Sequence, residues 1–183
     1  MGIMATLFMA AGALSMQIQI ASDGRPATEA QIVAWEKKIQ AQLPSDYRGF
    51  LVQHNGGRAK VSAERAGDVA FQIRWNGQPW ADEYAEAFLQ GFYSLDNDSA
   101  FAWSTAEEEY LEQRRVPSDL LPIAYDRGSN QVLLGISGER RGKVYFWAKD
   151  LEPAEDTDEP GYENVGFIAD SFGEFLAKLR PVK

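Results

Sequence analysis

At three separated places in this chain a hydroxyl residue is followed, three positions later, by a glutamine or a glutamate: Thr28 with Gln31, Ser104 with Glu107, and Ser171 with Glu174. Each pair reads as a capping box. The hydroxyl accepts an N–H left without a partner at a helix start, and the longer side chain reaches back to the N–H of the cap. Helices are thus expected to begin at three well-separated places. The intervals hold apolar residues at a spacing of two, as in Val69, Phe71, Ile73 and Trp75, and alternation of that kind marks strands. A helical bundle, a coiled coil and an all-β sandwich are excluded by the mixture.

The first helix shows Ile32, Trp35, Ile39 and Leu43 on one face, with Pro44 read as its stop. A second helix follows at once, capped by Ser45 or Asp46, with Tyr47, Phe50, Leu51 and His54 on one face. Asn55-Gly56-Gly57 reads as its left-handed exit. Further strands are expected at residues 16–20, 92–95, 120–124, 131–136, 143–147 and 165–169. Asp126-Arg127-Gly128-Ser129-Asn130 reads as an Asx-stabilised turn, and 137–142 as a hairpin loop. The last helix carries Phe172, Phe175, Leu176 and Leu179 on one face. The 183 residues suffice to hide roughly 70% of the extended chain's surface. The expected fold class is α+β: a single compact domain with a central antiparallel or mixed sheet flanked by helices. It spans residues 16–183. Residues 1–15 are apolar and uncharged, and read as an extension preceding a native start at Met16. An export signal is the weaker reading, because the first basic residue is Arg25.

Composition removes much chemistry. There is no Cys and one His, His54. Disulfides, thiolate metal sites and two-histidine metal centres are unavailable to one chain. No metal and no cofactor are expected. A catalytic triad would have to use His54, and no G-x-S-x-G elbow accompanies it; a packed or capping histidine is the simpler reading. Gly135-Ile136-Ser137-Gly138 is not a phosphate loop, and Gly128 breaks the calcium-loop pattern after Asp126. Paired acids such as Asp82-Glu83 read as solvated loop residues rather than glycosidase carboxylates. The net charge of −9 repels phosphate backbones and favours a basic protein partner over nucleic acid. The apolar start is too short to span a membrane.

Four segments, in order, resemble the SUKH superfamily, the domain of the fungal cell-wall assembly regulator and of many bacterial immunity proteins. They are Leu43-Pro44-Ser45-Asp46-Tyr47-Arg48-Gly49-Phe50-Leu51 with Asn55-Gly56-Gly57; Leu121-Pro122-Ile123-Ala124-Tyr125-Asp126 with Gly128 and Asn130; Gly142-Lys143-Val144-Tyr145-Phe146-Trp147; and Ile168-Ala169-Asp170-Ser171-Phe172-Gly173-Glu174-Phe175-Leu176. Residues 59–102 and 151–163 match no pattern of that family. The resemblance implies a protein-binding domain, not an enzyme. Bacterial members often neutralise polymorphic toxins, many of them nucleases. A cytoplasmic immunity protein that occludes a basic toxin domain is therefore the expected function. The alternatives are a regulatory scaffold with several partners and a small enzyme or ligand sensor using His54 with Asp126. The acids Glu152, Glu155, Asp156, Asp158 and Glu159, in a segment without any base, are the expected electrostatic contacts; Tyr125, Arg140 and Arg141 are the further expected contacts.

Overall fold

In the computed structural model, which describes residues 18–22, 25–61, 68–78, 80–99, 101–152 and 160–182, the alternating runs become strands. The elements are β1 (Ile18–Ala21), α1 (Glu29–Lys38), α2 (Ser45–Gln53), β2 (Arg58–Val61), β3 (Asp68–Gln72) and β4 (Glu86–Phe92). Then come α3 (Trp103–Ala106), which runs into a π-helical turn (Glu107–Leu111), β5 (Leu120–Asp126), β6 (Gln131–Gly135) and β7 (Val144–Trp147). The chain closes with β8 (Val165–Ala169), α4 (Phe172–Lys178) and β9 (Arg180–Val182). Seven strands lie in the order β8-β7-β6-β5-β4-β3-β9, and every neighbouring pair is antiparallel. β1 and β2 form a separate antiparallel ribbon. The domain is α+β, with a wholly antiparallel sheet.

The sheet curls until its far parts meet. Arg74, two residues past β3, exchanges two backbone hydrogen bonds with Phe167 of β8, each 2.8 Å long. Gly166 permits this approach, since a Cβ there would lie 2.5 Å from the Ile73 side chain and 3.0 Å from the Trp75 ring. One face of the sheet carries Phe71 and Phe92 against α2 and α4, with Phe146 edge-on to Phe71. Phe172 of α4 meets Tyr47 at 4.9 Å and Phe50 at 5.1 Å, both edge-on. All of these rings are buried, and burying one such side chain stabilises by about 1.5–3 kcal/mol. Trp35 of α1 meets Trp103 of α3 at 4.8 Å, and the Trp103 indole donates to the Pro122 carbonyl at 3.0 Å.

Several sequence expectations are corrected. α1 stops at Lys38, well before Pro44. Gln40 adopts φ +53°, and the N–H groups of Gln40 and Ala41 return to the carbonyls of Lys37 and Glu36. That is a Schellman ending, formed without glycine. Only the box at Thr28 closes in full. Ser104 caps nothing: the helix begins one residue earlier, where the Trp103 N–H donates to the Ser94 carbonyl at 2.7 Å. The buried Trp103 sets the helix start, and Glu107 pairs instead with Lys38. At the third box Ser171 accepts from the Glu174 N–H, but the Glu174 carboxylate takes the N–H of Asp170, one residue before the cap. Neither Ser45 nor Asp46 is the cap of α2; Pro44 holds that position, its carbonyl accepting from the Arg48 N–H at 2.9 Å. The strand expected at 92–95 is β4, which ends at Phe92. Beyond it Tyr93, Ser94 and Leu95 donate to Ile123 O, Phe101 O and Asn55 Oδ1, so no ladder continues. β9, which follows the last expected helix, was not expected; it contains Pro181 and lies on the sheet edge, where proline is tolerated. The reading of residues 1–15 as an extension lies outside the described residues.

Candidate protein-binding surface

Of the acids expected to make contacts, Glu155, Asp156, Asp158 and Glu159 lie outside the described residues. Glu152 lies within them and is already engaged. Its carboxylate accepts from Arg115 Nε at 3.0 and 3.2 Å and from a terminal nitrogen at 2.6 Å. The same guanidinium bonds Glu109 at 3.3 Å and lies 5.4 Å from the Trp147 ring centre. The Glu152 hydrogen bond holds Arg115 above its ordinary pKa. This bidentate pair ties the end of β7's extension to the π-helical turn, which makes Glu152 a structural anchor.

Tyr125 projects from β5 beside Tyr93 and Phe101, with ring centres 5.2 and 5.9 Å away. The three rings and Tyr110 line an open depression of about 260 Å³. Its polar groups are internally satisfied: Tyr93 donates to Gln131 at 2.9 Å, and Gln131 donates to the Ser129 carbonyl at 2.9 Å. Arg141 braces the hairpin loop, donating to the carbonyls of Gln42 at 2.9 Å and Ile136 at 3.2 Å. Arg140 sits apart from Tyr125, on the rim of a different depression of about 440 Å³.

Arg140 belongs to a preorganised trio that sequence reasoning missed. Its guanidinium lies 3.8 Å from the ring centre of Tyr162 and bonds Asp119 at 3.2 Å. Asp119 in turn accepts the Tyr162 hydroxyl at 2.7 Å. Tyr162 is 40% exposed and, with Val33 and Val52 elsewhere on the surface, is one of the large apolar side chains left open among the described residues. It stands as a ridge between the 440 Å³ depression and a second one of about 730 Å³ floored by Trp103, Leu121 and Ile136. An exposed tyrosine and arginine held in place lose little conformational freedom on binding, which is the character of an interface anchor. The only sequence signal was a tyrosine two residues after Pro160, and nothing local links it to Asp119 or Arg140.

The groups weighed for catalysis serve the scaffold. His54 is the C-cap of α2, its ring 5.2 Å from Phe50. Asp126 accepts from the N–H groups of Gly128 at 2.7 Å and Asn130 at 2.8 Å, and from the Asn130 amide at 2.9 Å. Burial holds its carboxyl above the ordinary value despite these bonds. Burial also pushes the phenols of Tyr47, Tyr93 and Tyr110 above their usual range. Among the described residues no three His, Asp or Glu side chains converge as metal ligands, and no helix is long and apolar enough to cross a membrane.

Residues 26–178 match the model of the SMI1 / KNR4 family (SUKH-1), from the turn before α1 to the end of α4. The chain belongs to the SUKH-1 family. It is also similar to the SPbeta prophage-derived uncharacterized protein YokK of Bacillus subtilis (strain 168). The two are 30% identical over 156 residues, covering 83% of this chain and 74% of that protein. The SUKH-1 match runs through the strands β2–β4, whose sequence carried no recognisable motif. The Asn55-Gly56-Gly57 signature has a physical basis in this SUKH-1 chain. All three residues take positive φ, of 49°, 89° and 108°. A Cβ on Gly57 would lie 2.4 Å from the Ala21 carbonyl oxygen.

Proposed function

We propose that this chain is a non-enzymatic, cytoplasmic protein-binding domain that acts as an immunity protein, neutralising a toxin by direct binding and occlusion. SUKH-1 membership over residues 26–178 carries the reading. The net charge of −9 supports a basic partner, since complementary fields accelerate encounter and exclude wrong partners. The Asp119–Arg140–Tyr162 trio between two depressions offers a preformed anchor. The acids Glu155, Asp156, Asp158 and Glu159 supply steering charge a few residues before Tyr162 in sequence.

The experiment is capture of the tagged chain from its native host, followed by purification of whatever binds. One stoichiometric partner carrying a toxin domain, whose toxicity the chain suppresses, is the expected result. Several weak partners and no toxin would replace this reading with a regulatory scaffold. Replacing Glu155, Asp156, Asp158 and Glu159 by amides should slow association with that partner several-fold at low salt and little at high salt. An unchanged rate would remove the segment from the interface.

A further inference from the structure

The depression of about 440 Å³ lies where the curled sheet brings β7, β8 and the end of β3 together. It is bounded by Arg74, Arg140, Tyr145, Tyr162, Glu163 and Phe167. Two of its sides are cation–π stacks: the Arg74 guanidinium lies 4.5 Å from the Phe167 ring centre, and the Arg140 guanidinium 3.8 Å from that of Tyr162. Tyr145 meets Phe167 edge-on at 5.8 Å between them. Each guanidinium thus lies over a ring, a contact that uses none of its N–H donors. A guanidinium carries five N–H donors. Arg140 donates one terminal nitrogen to Asp119, and Arg74 makes no ion pair or side-chain hydrogen bond among the described residues.

Among the described residues Arg48, Arg115, Arg127 and Arg180 are paired with carboxylates, whereas Arg58, stacked on Phe101, shares with Arg74 the lack of an ion pair. Glu174 is near enough to feel Arg74, but its carboxylate is engaged by Lys178 and the Asp170 N–H. Here a stacked and unpaired arginine and a second, partly satisfied one border the same open space over an aromatic floor. The chemistry that completes such a site is a planar carboxylate, which accepts two parallel N–H bonds from a guanidinium and lies flat on an aromatic edge.

We propose that this depression is a carboxylate-accepting subsite that receives an aspartate or glutamate side chain from the protein partner. The inference rests on the reading of the chain as a protein-binding domain and deepens it. A partner steered by a charge of −9 is basic overall, and a single required carboxylate at this point fixes its register and rejects other basic surfaces. Glu163, on the rim and without an ion pair among the described residues, is the chain's own competitor for the two guanidiniums.

The test needs no identified partner. The probes are acetyl-Glu-amide, with acetyl-Gln-amide and acetyl-Lys-amide as controls, titrated into the full chain at low salt. The readout is the NMR signals of the Arg74 and Arg140 Nε–Hε groups, assigned with Arg74→Gln and Arg140→Gln. Acetyl-Glu-amide should shift both signals and saturate, with a Kd on the order of 1–10 mM for one charge-assisted contact. The two controls should shift neither signal. Arg74→Gln should weaken the binding about tenfold without lowering the melting temperature, and Glu163→Gln should strengthen it several-fold. No saturable shift at either arginine, or equal shifts with acetyl-Gln-amide, would overturn the proposal. That outcome leaves the immunity reading standing, because the latter depends on a captured toxin. A saturable carboxylate site with no toxin captured would have the opposite meaning.

Discussion

Asp46 offers a sharp test of how the helices are held. It sits in the first turn of α2, yet its carboxylate reaches across 127 residues of sequence: Oδ2 accepts the Gly173 N–H at 2.9 Å, while Oδ1 accepts its own neighbour's N–H, that of Tyr47, at 2.9 Å. Gly173 is the second residue of α4, whose opening N–H groups have no partner within the helix. One carboxylate therefore serves the N-terminal ends of two helices. Replacing a capping acceptor by alanine costs about 1 kcal/mol. A negative charge near a helix N-terminus adds about 0.3–1 kcal/mol for each helix. Asp46→Ala should therefore destabilise the domain by about 1.5–2.5 kcal/mol. At this chain length that lowers the melting temperature by about 4–8 °C. Asp46→Asn keeps an acceptor but not the charge and should lose about 0.5–1 kcal/mol. Urea unfolding of the three proteins, with unchanged slope, gives the comparison. Amide exchange adds a local check, since the Gly173 N–H should lose protection in Asp46→Ala while that of Glu174, held by Ser171, changes less. A loss below about 0.3 kcal/mol, or unaltered Gly173 protection, would refute the idea that this cap is worth a normal helix cap.

Three further outcomes are expected. Gly57→Ala forces a side chain onto φ +108° and to within 2.4 Å of the Ala21 carbonyl, so calorimetry should show a loss of about 3 kcal/mol or more; a loss under about 1 kcal/mol would contradict that geometry. Arg115→Ala leaves Glu152 half-buried and unpaired and uncovers the Trp147 ring; chemical denaturation should show a loss of about 2–4 kcal/mol, clearly exceeding that of Glu152→Gln. The folded-state pKa of Asp126 is raised above its ordinary 3.8 by burial, so the folded form binds this proton more tightly than the unfolded chain. Its contribution is fully present below about pH 3.8 and is lost as the pH rises through the raised value. The stability of the wild type relative to Asp126→Asn should therefore fall across that window in pH-dependent unfolding, and a rise would show that the turn's hydrogen bonds outweigh burial.

Local patterning was legible wherever the determinants are local. Thr28 and Gln31 are three residues apart and close the box they announce. The alternation at Val165–Ala169 became β8 without change, and the consecutive Asn55, Gly56 and Gly57 exit the helix through the left-handed region that asparagine and glycine tolerate best. Asp126 and Asn130 likewise build their turn within five residues of chain. The fold class followed from such elements, because strand and helix periods leave few ways to bury their apolar faces.

Tertiary contacts decided the rest. Ser104 carries the signature of a cap but yields to the burial of Trp103, and Asp46 serves α4, an element that no window of sequence around it contains. The candidate surface is of the same kind. Asp119, Arg140 and Tyr162 come from separate stretches of the chain and meet because β5, β6, β7 and β8 lie side by side, while Arg74 reaches Phe167 only because the sheet curls far enough for the end of β3 to pair with β8. Periodicity reports which face of an element is buried; it carries no record of which distant element lies against the other face. By itself, the sequence determined the mixture and order of most helices and strands, the net charge and the absence of thiol chemistry. Only the closed sheet determined which arginines, aromatics and acids stand together, since that depends on the long-range pairing of strands rather than on any spacing along the chain.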